Sequence, residues 1–311
     1  MTDCTISWTA DHAGWEGRFA RLRRTTLLQC RAYAEVVCPP LGQRVRHGLI
    51  LIGGAMAGLV QLQEAALLGR AIHAVILDRG PLWEAGRGGP EDARAFLSAF
   101  ARAFPARPGR RRRLLPELPA SALPALGAAG FARLPGPGYQ TFWLDLTPGP
   151  DALRRGMEGK WRNRLSRAEE AGLEVVWDRT GLAMGPFLRG MAETGAARHG
   201  PAPATLIALA ERFRAARAAA VGLALHRGEA VAGVMMLRHG LAATWQAGWV
   251  SQAGRRLAAN HLLLWRALCE LHAEGVQDLD LGGVNDADAA GVKRFKRGLG
   301  GELVELAGQF R

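Results

Sequence analysis

The sequence predicts a mixed α/β protein with two domains, and three observations lead to this prediction. A chain of 311 residues is long for one compact core, so two domains of about 150 residues are expected. Residues 134–138 (LPGPG) are rich in Gly and Pro, as in a linker. Residues 219–250 have the pattern of three antiparallel strands, followed by a long apolar helix and a buried strand. The predicted domains are therefore 1–138 and 139–311.

The elements of the first domain follow from hydrophobic periodicity and turn residues. Two apolar runs within 47–63 flank Gly53 and Gly54, which predicts a β-hairpin, and a further strand is predicted over 71–78. Helical spacing of apolar residues predicts a helix over 90–104. Four consecutive arginines in 107–118 lead into a short strand, either as an anion-binding rim or as an edge strand that charge keeps from pairing. A small helix is predicted over 119–130.

The second domain opens with an alternating strand over 139–146, and a basic amphipathic helix follows from Lys160. Trp161, Leu165 and Ala168 share one stripe of this helix, and Gly172 is placed as its C′ stop before a strand over 173–177. Two helices are predicted over 182–198 and 204–214. The three strands of 219–250 join at two short Gly-containing turns, and the last helix and strand are predicted over 258–274 and 276–281.

Composition limits the kind of protein more than it identifies a partner. Hydrophobic residues make up 49% of the chain, which is typical of a globular protein and excludes a mainly disordered one. The net charge of +12 and a pI of about 10.9 favour polyanionic partners such as nucleic acid, an anionic membrane face or phosphorylated substrates. Only three of the 40 basic residues are lysines, so a coding bias towards arginine explains the charge equally well.

Several classes of protein are not expected from the sequence. Residues 1–14 carry two aspartates and lack the apolar core of a secretory signal, and no apolar run is long enough to span a membrane. The four cysteines show neither CxxC spacing nor a dense framework, which fits reduced thiols in the cytosol. The eight histidines are scattered without ligand spacing, so no metal site is expected.

Three motifs occur in order over the second half of the chain. The first is KWRNRLSRAEEAGLEV at 160–175, and the second is AETGAARHG at 192–200. The third combines LDLGGV at 279–284 with RFKRGLGGELVELAGQF at 294–310. Together they resemble the signatures of the FemABX-like peptidyltransferases, which are built like two fused acyltransferase domains of the GNAT type. The resemblance therefore implies two tandem GNAT-like domains with mixed, mostly antiparallel sheets flanked by helices.

The resemblance also implies catalytic residues. Lys296 occupies the "FK" position, where family members place a lysine that supports transfer at the acyl ester. A cation is chemically suitable there, because attack of an amine on an ester builds negative charge on the carbonyl oxygen. Asp280 ends a buried strand and either orients Lys296 or accepts a proton from the amine, although it also suits an Asx-turn. No signature of a covalent nucleophile is present.

The remaining candidate residues are assigned to substrate binding. Arg198 lies where the family contacts a nucleotide-linked or lipid-linked precursor, although it also suits the carbonyl end of the preceding helix. Arg255 and Asn260 lie in the loop where GNAT enzymes hold the pyrophosphate of coenzyme A, but Ala258 replaces a glycine and Asn260 suits an N-cap. The other substrate-binding candidates come from the first and third motifs: Trp161, Arg162, Asn163 and Phe295.

Three functions remain open from the sequence. The first is a cytoplasmic FemAB-like aminoacyl or acyl transferase, which takes its acyl group from aminoacyl-tRNA without a further cofactor. Its acceptor would be an amine of a peptidoglycan or other envelope precursor, reached at the inner, anionic face of the cell membrane. The second is a coenzyme A-dependent N-acyltransferase that uses acetyl-CoA or another acyl-CoA and acts on a sugar or small amine. The third is an inactive basic protein that binds RNA or a membrane.

Overall fold

A computed structural model describes residues 3–198, 200–284 and 290–311, and the chain divides into two compact units. The first unit consists of Met1–Gln140 together with Val304–Arg311, and the second of Thr141–Leu303. The predicted division placed the whole segment 139–311 in the second domain. Residues Val304–Arg311 instead belong to the first unit.

The first unit is built on one sheet. Its strands are β1 (Cys4–Thr9), β2 (Arg44–Ile52), β3 (Ala55–Leu67), β4 (Ile72–Asp78), β5 (Leu82–Trp83) and β6 (Arg110–Leu115). The strand order is β1-β2-β3-β4-β6, with β5 paired to β3. Only the β4–β6 pair is parallel among these. The helices are α1 (His12–Phe19), α2 (Arg31–Val37), α3 (Pro90–Ala103) and α4 (Leu123–Ala128).

Local sequence explains the central elements of this unit. The predicted hairpin is formed by β2 and β3, and both glycines of its turn adopt positive φ, at 59° and 78°. Helix α3 starts with Pro90 at its first turn, where a missing N–H costs nothing, and it buries Phe96, Leu97 and Phe100 as the spacing predicts. The arginine-rich strand β6 lies at the edge of the sheet.

The segment predicted to be a linker is instead held by the end of the chain. The backbone N–H of Leu134 donates to the carbonyl of Gln309 (2.8 Å). Phe310 pairs with Leu114 and Arg133 in isolated bridges and is 2% exposed within the core of the first unit. Burial of this aromatic ring is the physical reason that Val304–Arg311 belongs to the first unit.

The second unit is built on a seven-stranded sheet. Its strands are β7 (Gln140–Asp145), β8 (Glu174–Asp178), β9 (Ala219–His226), β10 (Glu229–His239), β11 (Ala242–Val250), β12 (Asp278–Gly283) and β13 (Glu302–Glu305). The order is β13-β7-β12-β11-β10-β9-β8. Its helices are α5 (Pro150–Gly156), α6 (Gly159–Glu169), α7 (Met184–Glu193), α8 (Pro203–Arg214), α9 (Gln252–Arg256), α10 (Ala259–Ala273) and α11 (Ala290–Arg297).

The core of the second unit lies between this sheet and helices α6 and α10. Trp161, Leu165 and Ala168 of α6 are buried, as the predicted stripe requires, and Gly172 ends that segment at φ 66°. Helix α10 buries apolar side chains on most of its surface. Within the described residues, every helix falls short of the length and apolar character needed to cross a bilayer.

Candidate active site

The candidate site lies where two neighbouring strands of the second unit separate. Strands β11 and β12 are parallel and pair only from Ala242–Asp278 to Thr244–Asp280. Beyond that point β11 continues to Val250 and β12 to Gly283, without further pairing to each other. Parting strands expose backbone groups at a sheet opening, which is the typical place for a ligand in such a fold.

Lys296 belongs to α11, and its ammonium lies at the end of β12, beside this opening. Its side chain is only 6% exposed, and Nζ donates to the carbonyl oxygens of Gly282 (3.1 Å) and Gly283 (3.0 Å). Nζ also lies 5.1 Å from the ring centroid of Trp245. Gly282 has φ 74°, and a Cβ on it would lie 3.3 Å from the Trp245 carbonyl oxygen. The positive φ therefore favours glycine at position 282, while a Cβ there would be at ordinary contact distance from Nζ, 3.7 Å.

Asp280 organises the turn that holds Lys296. Its carboxylate is 3% exposed, and Oδ1 accepts hydrogen bonds from the Gly282 N–H (2.8 Å) and the Thr141 hydroxyl (2.5 Å). The bond to the N–H two residues further along is an Asx-turn, which was one of the two interpretations of Asp280. Because the turn orients the carbonyls that Lys296 contacts, Asp280 positions the lysine through the backbone.

Phe295 and Trp161 form an aromatic cluster next to Lys296. Phe295 lies 5.8 Å from Trp161 and 6.4 Å from Trp245, measured between ring centroids. His261 completes the cluster, at 4.7 Å from Trp161 and 4.9 Å from Phe295. These distances are in the range of favourable aromatic contacts. The structure therefore brings Lys296, Asp280, Phe295 and Trp161 into one region.

His261 was not predicted as a site residue. Burial lowers its pKa from 6.5 to about 4, with a smaller effect from the Arg164 charge, so the imidazole is neutral at pH 7. Its Nδ1 is buried and has no hydrogen-bond partner within the described part of the chain. The sequence offered one indication, since His261 is a polar residue directly before the apolar run 262–265 (LLLW).

Arg162 and Asn163 point away from this cluster. Nη1 of Arg162 donates to the carbonyls of Arg155 (3.0 Å) and Met157, so the side chain stabilises the joint between α5 and α6. Asn163 is exposed. Arg154, Arg155 and Arg162, with Asp151, line an open depression of about 390 Å³. Arg154 is bound there by the Glu169 carboxylate, at 2.8 and 2.7 Å.

The other two predicted arginines are exposed. Arg198 ends the short 3-10 helix Ala196–Arg198, and its N–H donates to the Gly195 carbonyl (3.1 Å). His199 of the same motif lies outside the described residues. Arg255 lies on α9. Their roles in substrate binding stay predictions.

The interpretation of Asn260 as an N-cap is wrong. Ala258 is the N-cap of α10 and adopts the left-handed conformation at φ 54°, so Asn260 falls inside the first turn. Its side chain is half-buried, and its Oδ1 has no hydrogen-bond partner among the residues that the structure describes. An orphaned buried amide oxygen is costly, so Asn260 suits a polar ligand better than a capping role.

The loop expected before α10 contains the short helix α9, which the sequence did not predict. Ser251 caps it by accepting from the Gly254 N–H (3.1 Å). Three further N–H groups are satisfied internally, in the pairs Arg255–Ser251, Leu257–Ala253 and Ala258–Arg255. The amides of the segment that precedes α10 are therefore used within that segment. The described residues also contain no group of three or more metal-ligating side chains.

Comparison with known proteins agrees with this architecture. Residues 155–297 match the family model described as an acetyltransferase (GNAT) domain. The structure is similar to FemX, with a TM-score of 0.77 and 17% identity over 97% of this chain and 96% of that chain. No curated protein matches the sequence significantly.

Two further structures share the fold less closely. One is a tandem GNAT protein from the clavulanic acid biosynthesis pathway, with a TM-score of 0.53 and 16% identity over 99% of this chain and 98% of that chain. The other is the C-terminal domain of a putative lysylphosphatidylglycerol synthetase from Agrobacterium fabrum. Its TM-score is 0.50, with 16% identity over 91% of this chain and 88% of that chain. The predicted tandem GNAT fold and the resemblance to FemAB-related proteins are confirmed.

Proposed function

Given an acyltransferase with a GNAT domain in a tandem GNAT fold like that of FemX, we propose that this chain transfers an aminoacyl group from aminoacyl-tRNA to a primary amine. The acceptor that we propose is a peptidoglycan or related envelope precursor. The single observation that carries the proposal is the buried Lys296 at the opening between β11 and β12.

The proposed reaction is aminolysis of an ester. The amine nitrogen attacks the ester carbonyl carbon, a C–N bond forms, and the C–O bond to the terminal ribose of tRNA breaks. The proton lost by the amine ends on the departing ribose oxygen. A buried ammonium at Lys296 stabilises the negative charge that develops on the carbonyl oxygen, and such charges act strongly where water is excluded.

The choice of an ester donor over acyl-CoA rests on the segment before α10. A coenzyme A pyrophosphate is bound by free N–H groups at a helix start, with glycines that let the backbone approach. In this chain Ala258 occupies the left-handed N-cap position, and several preceding amides are used within α9. This geometry supports a donor that needs no pyrophosphate site.

Transfer from a mixture of tRNAs charged with labelled amino acids to purified cell-wall precursors tests the proposal. We expect labelled product with the wild-type protein and a loss of about a hundredfold in rate for Lys296→Ala. Arg297→Ala is the matched control, because it removes an exposed cation from the same helix. Turnover with acetyl-CoA but not with aminoacyl-tRNA would replace the proposal with a coenzyme A-dependent N-acyltransferase.

A further inference from the structure

The tip of the β3–β4 hairpin in the first unit exposes three aliphatic side chains. Leu67, Leu68 and Ile72, here called the apolar tip, are 65%, 80% and 53% exposed. Leu67 and Ile72 are paired across the two strands and share one face of the hairpin. The next pair, Ala66 and His73, lies on the opposite face, where His73 is buried. The three side chains thus form one continuous apolar projection rather than scattered surface residues.

The backbone at the apolar tip makes Leu68 an unexpected residue. Leu68, Gly69 and Arg70 adopt positive φ values of 50°, 61° and 73°. Asn, Asp and Gly are the residues that favour this conformation, whereas a leucine there costs roughly 1–2 kcal/mol. A strained and almost fully exposed leucine contributes nothing to the stability of the folded chain, which points to a contact outside it.

Three arginines lie beside the apolar tip and form what we call the basic collar: Arg70, Arg107 and Arg111. Arg107 donates to the carbonyls of Arg70 and of Ala71 (3.1 Å), which holds it against the tip. Arg111 is exposed and pairs with Ala74 of β4. Ala74 is two residues from Ile72, so Arg111 lies on the same face of the sheet as Ile72.

The charge of the basic collar is only partly balanced. Glu64 contacts Arg70 at 3.1 Å, and its carboxylate is shared with Arg46, which lies 3.5 Å away. Burial lowers the pKa of the neighbouring Arg110, which pairs with His73 on the other face of the sheet, and repulsion from Arg107, Arg70 and Arg112 lowers it further. Arginines that repel one another around an apolar projection are complementary to a surface that is apolar inside and anionic outside.

We propose that the apolar tip and the basic collar dock the first unit onto an anionic lipid membrane. The three aliphatic side chains enter the acyl boundary, and the arginines contact phosphate headgroups. RNA fits this surface less well, because proteins hold unpaired bases by stacking them on aromatic rings. The apolar tip has only aliphatic side chains. The inference is independent of the proposed transfer reaction, since no substrate is needed to test it.

Co-sedimentation of the purified protein tests the proposal, with vesicles of phosphatidylcholine alone and of phosphatidylcholine mixed with phosphatidylglycerol. We expect binding to the mixed vesicles only, weakened by salt. Leu68→Asn suits the left-handed backbone, so it should preserve stability while lowering vesicle affinity by at least about tenfold. Arg111→Gln should lower the affinity by about fivefold.

Leu41→Asn is the matched control, since Leu41 is 66% exposed in the same unit but lies outside the hairpin. Its vesicle affinity should equal that of the wild type. The proposal is overturned if Leu68→Asn and Leu41→Asn bind equally well, because attraction would then be electrostatic only. It is also overturned if the protein binds tRNA but not mixed vesicles and Arg111→Gln weakens that RNA binding.

Discussion

Replacing Gly298 by alanine should distort the aromatic cluster of the candidate site without removing any of its side chains. A Cβ on Gly298 would lie 2.6 Å from Cδ1 of Trp161 and 3.2 Å from Cγ. Carbon atoms normally approach to about 3.5–4.0 Å, so the indole must move by roughly 1 Å. Trp161 is 4% exposed and packed against His261 and Phe295, which leaves little room for that movement.

Overpacking of this kind typically costs about 1–3 kcal/mol of the free energy of unfolding. Gly291→Ala in α11 is the matched control, because nothing lies within 4 Å of its Cβ. That change should stabilise the helix by about 0.5–1 kcal/mol. Urea denaturation followed by far-UV circular dichroism measures both variants.

We also expect the acyl transfer rate to fall for Gly298→Ala, because a displaced Trp161 pushes on Phe295, the neighbour of Lys296. Equal denaturation midpoints for Gly298→Ala and Gly291→Ala would refute this reasoning. Such a result would mean that Trp161 has space to relax, and that the close packing of the cluster is not a constraint on the site.

Three further predictions concern single residues. Lys296→Ala should lower kcat with little change in KM, because the contact forms mainly in the transition state, and Lys296→Arg should restore only part of the rate in steady-state kinetics. Thr141→Val should cost about 1–3 kcal/mol in urea denaturation by removing a hydrogen bond to buried Asp280, whereas Thr141→Ser should retain most of the stability. The pKa of His261 is lowered from 6.5 to about 4, so the unfolded state binds more protons between these values and stability falls as pH decreases through that range. His261→Gln should reduce this fall, and an unchanged pH dependence of the denaturation midpoint would contradict it.

Elements with local periodicity were predictable from sequence. Strands β9 to β11 and their turns were predicted because alternating apolar runs meet at Gly228 and Gly240, both at positive φ. The stripe of α6 was predicted because Trp161, Leu165 and Ala168 follow the helical period. In these segments each residue's preference agrees with the final fold.

Features that depend on distant contacts were not predictable in the same way. Ala258, rather than Asn260, is the N-cap of α10, because α9 forces the chain through a left-handed residue that propensity alone disfavours. The place of His261 in the aromatic cluster depends on Phe295, which is far from it in sequence. Position 296 was indicated only by motif resemblance, and its contacts with two glycine carbonyls came from the structure.

The return of residues 304–311 to the first unit has a consequence for the order of folding. During synthesis the first unit leaves the ribosome early, yet Phe310 of its core emerges only after all of the second unit. Until then Leu114 lacks its bridge partner and the apolar surface that Phe310 covers stays open. The unit that is made first is therefore completed last, and over that interval it exposes apolar surface of the kind that favours aggregation.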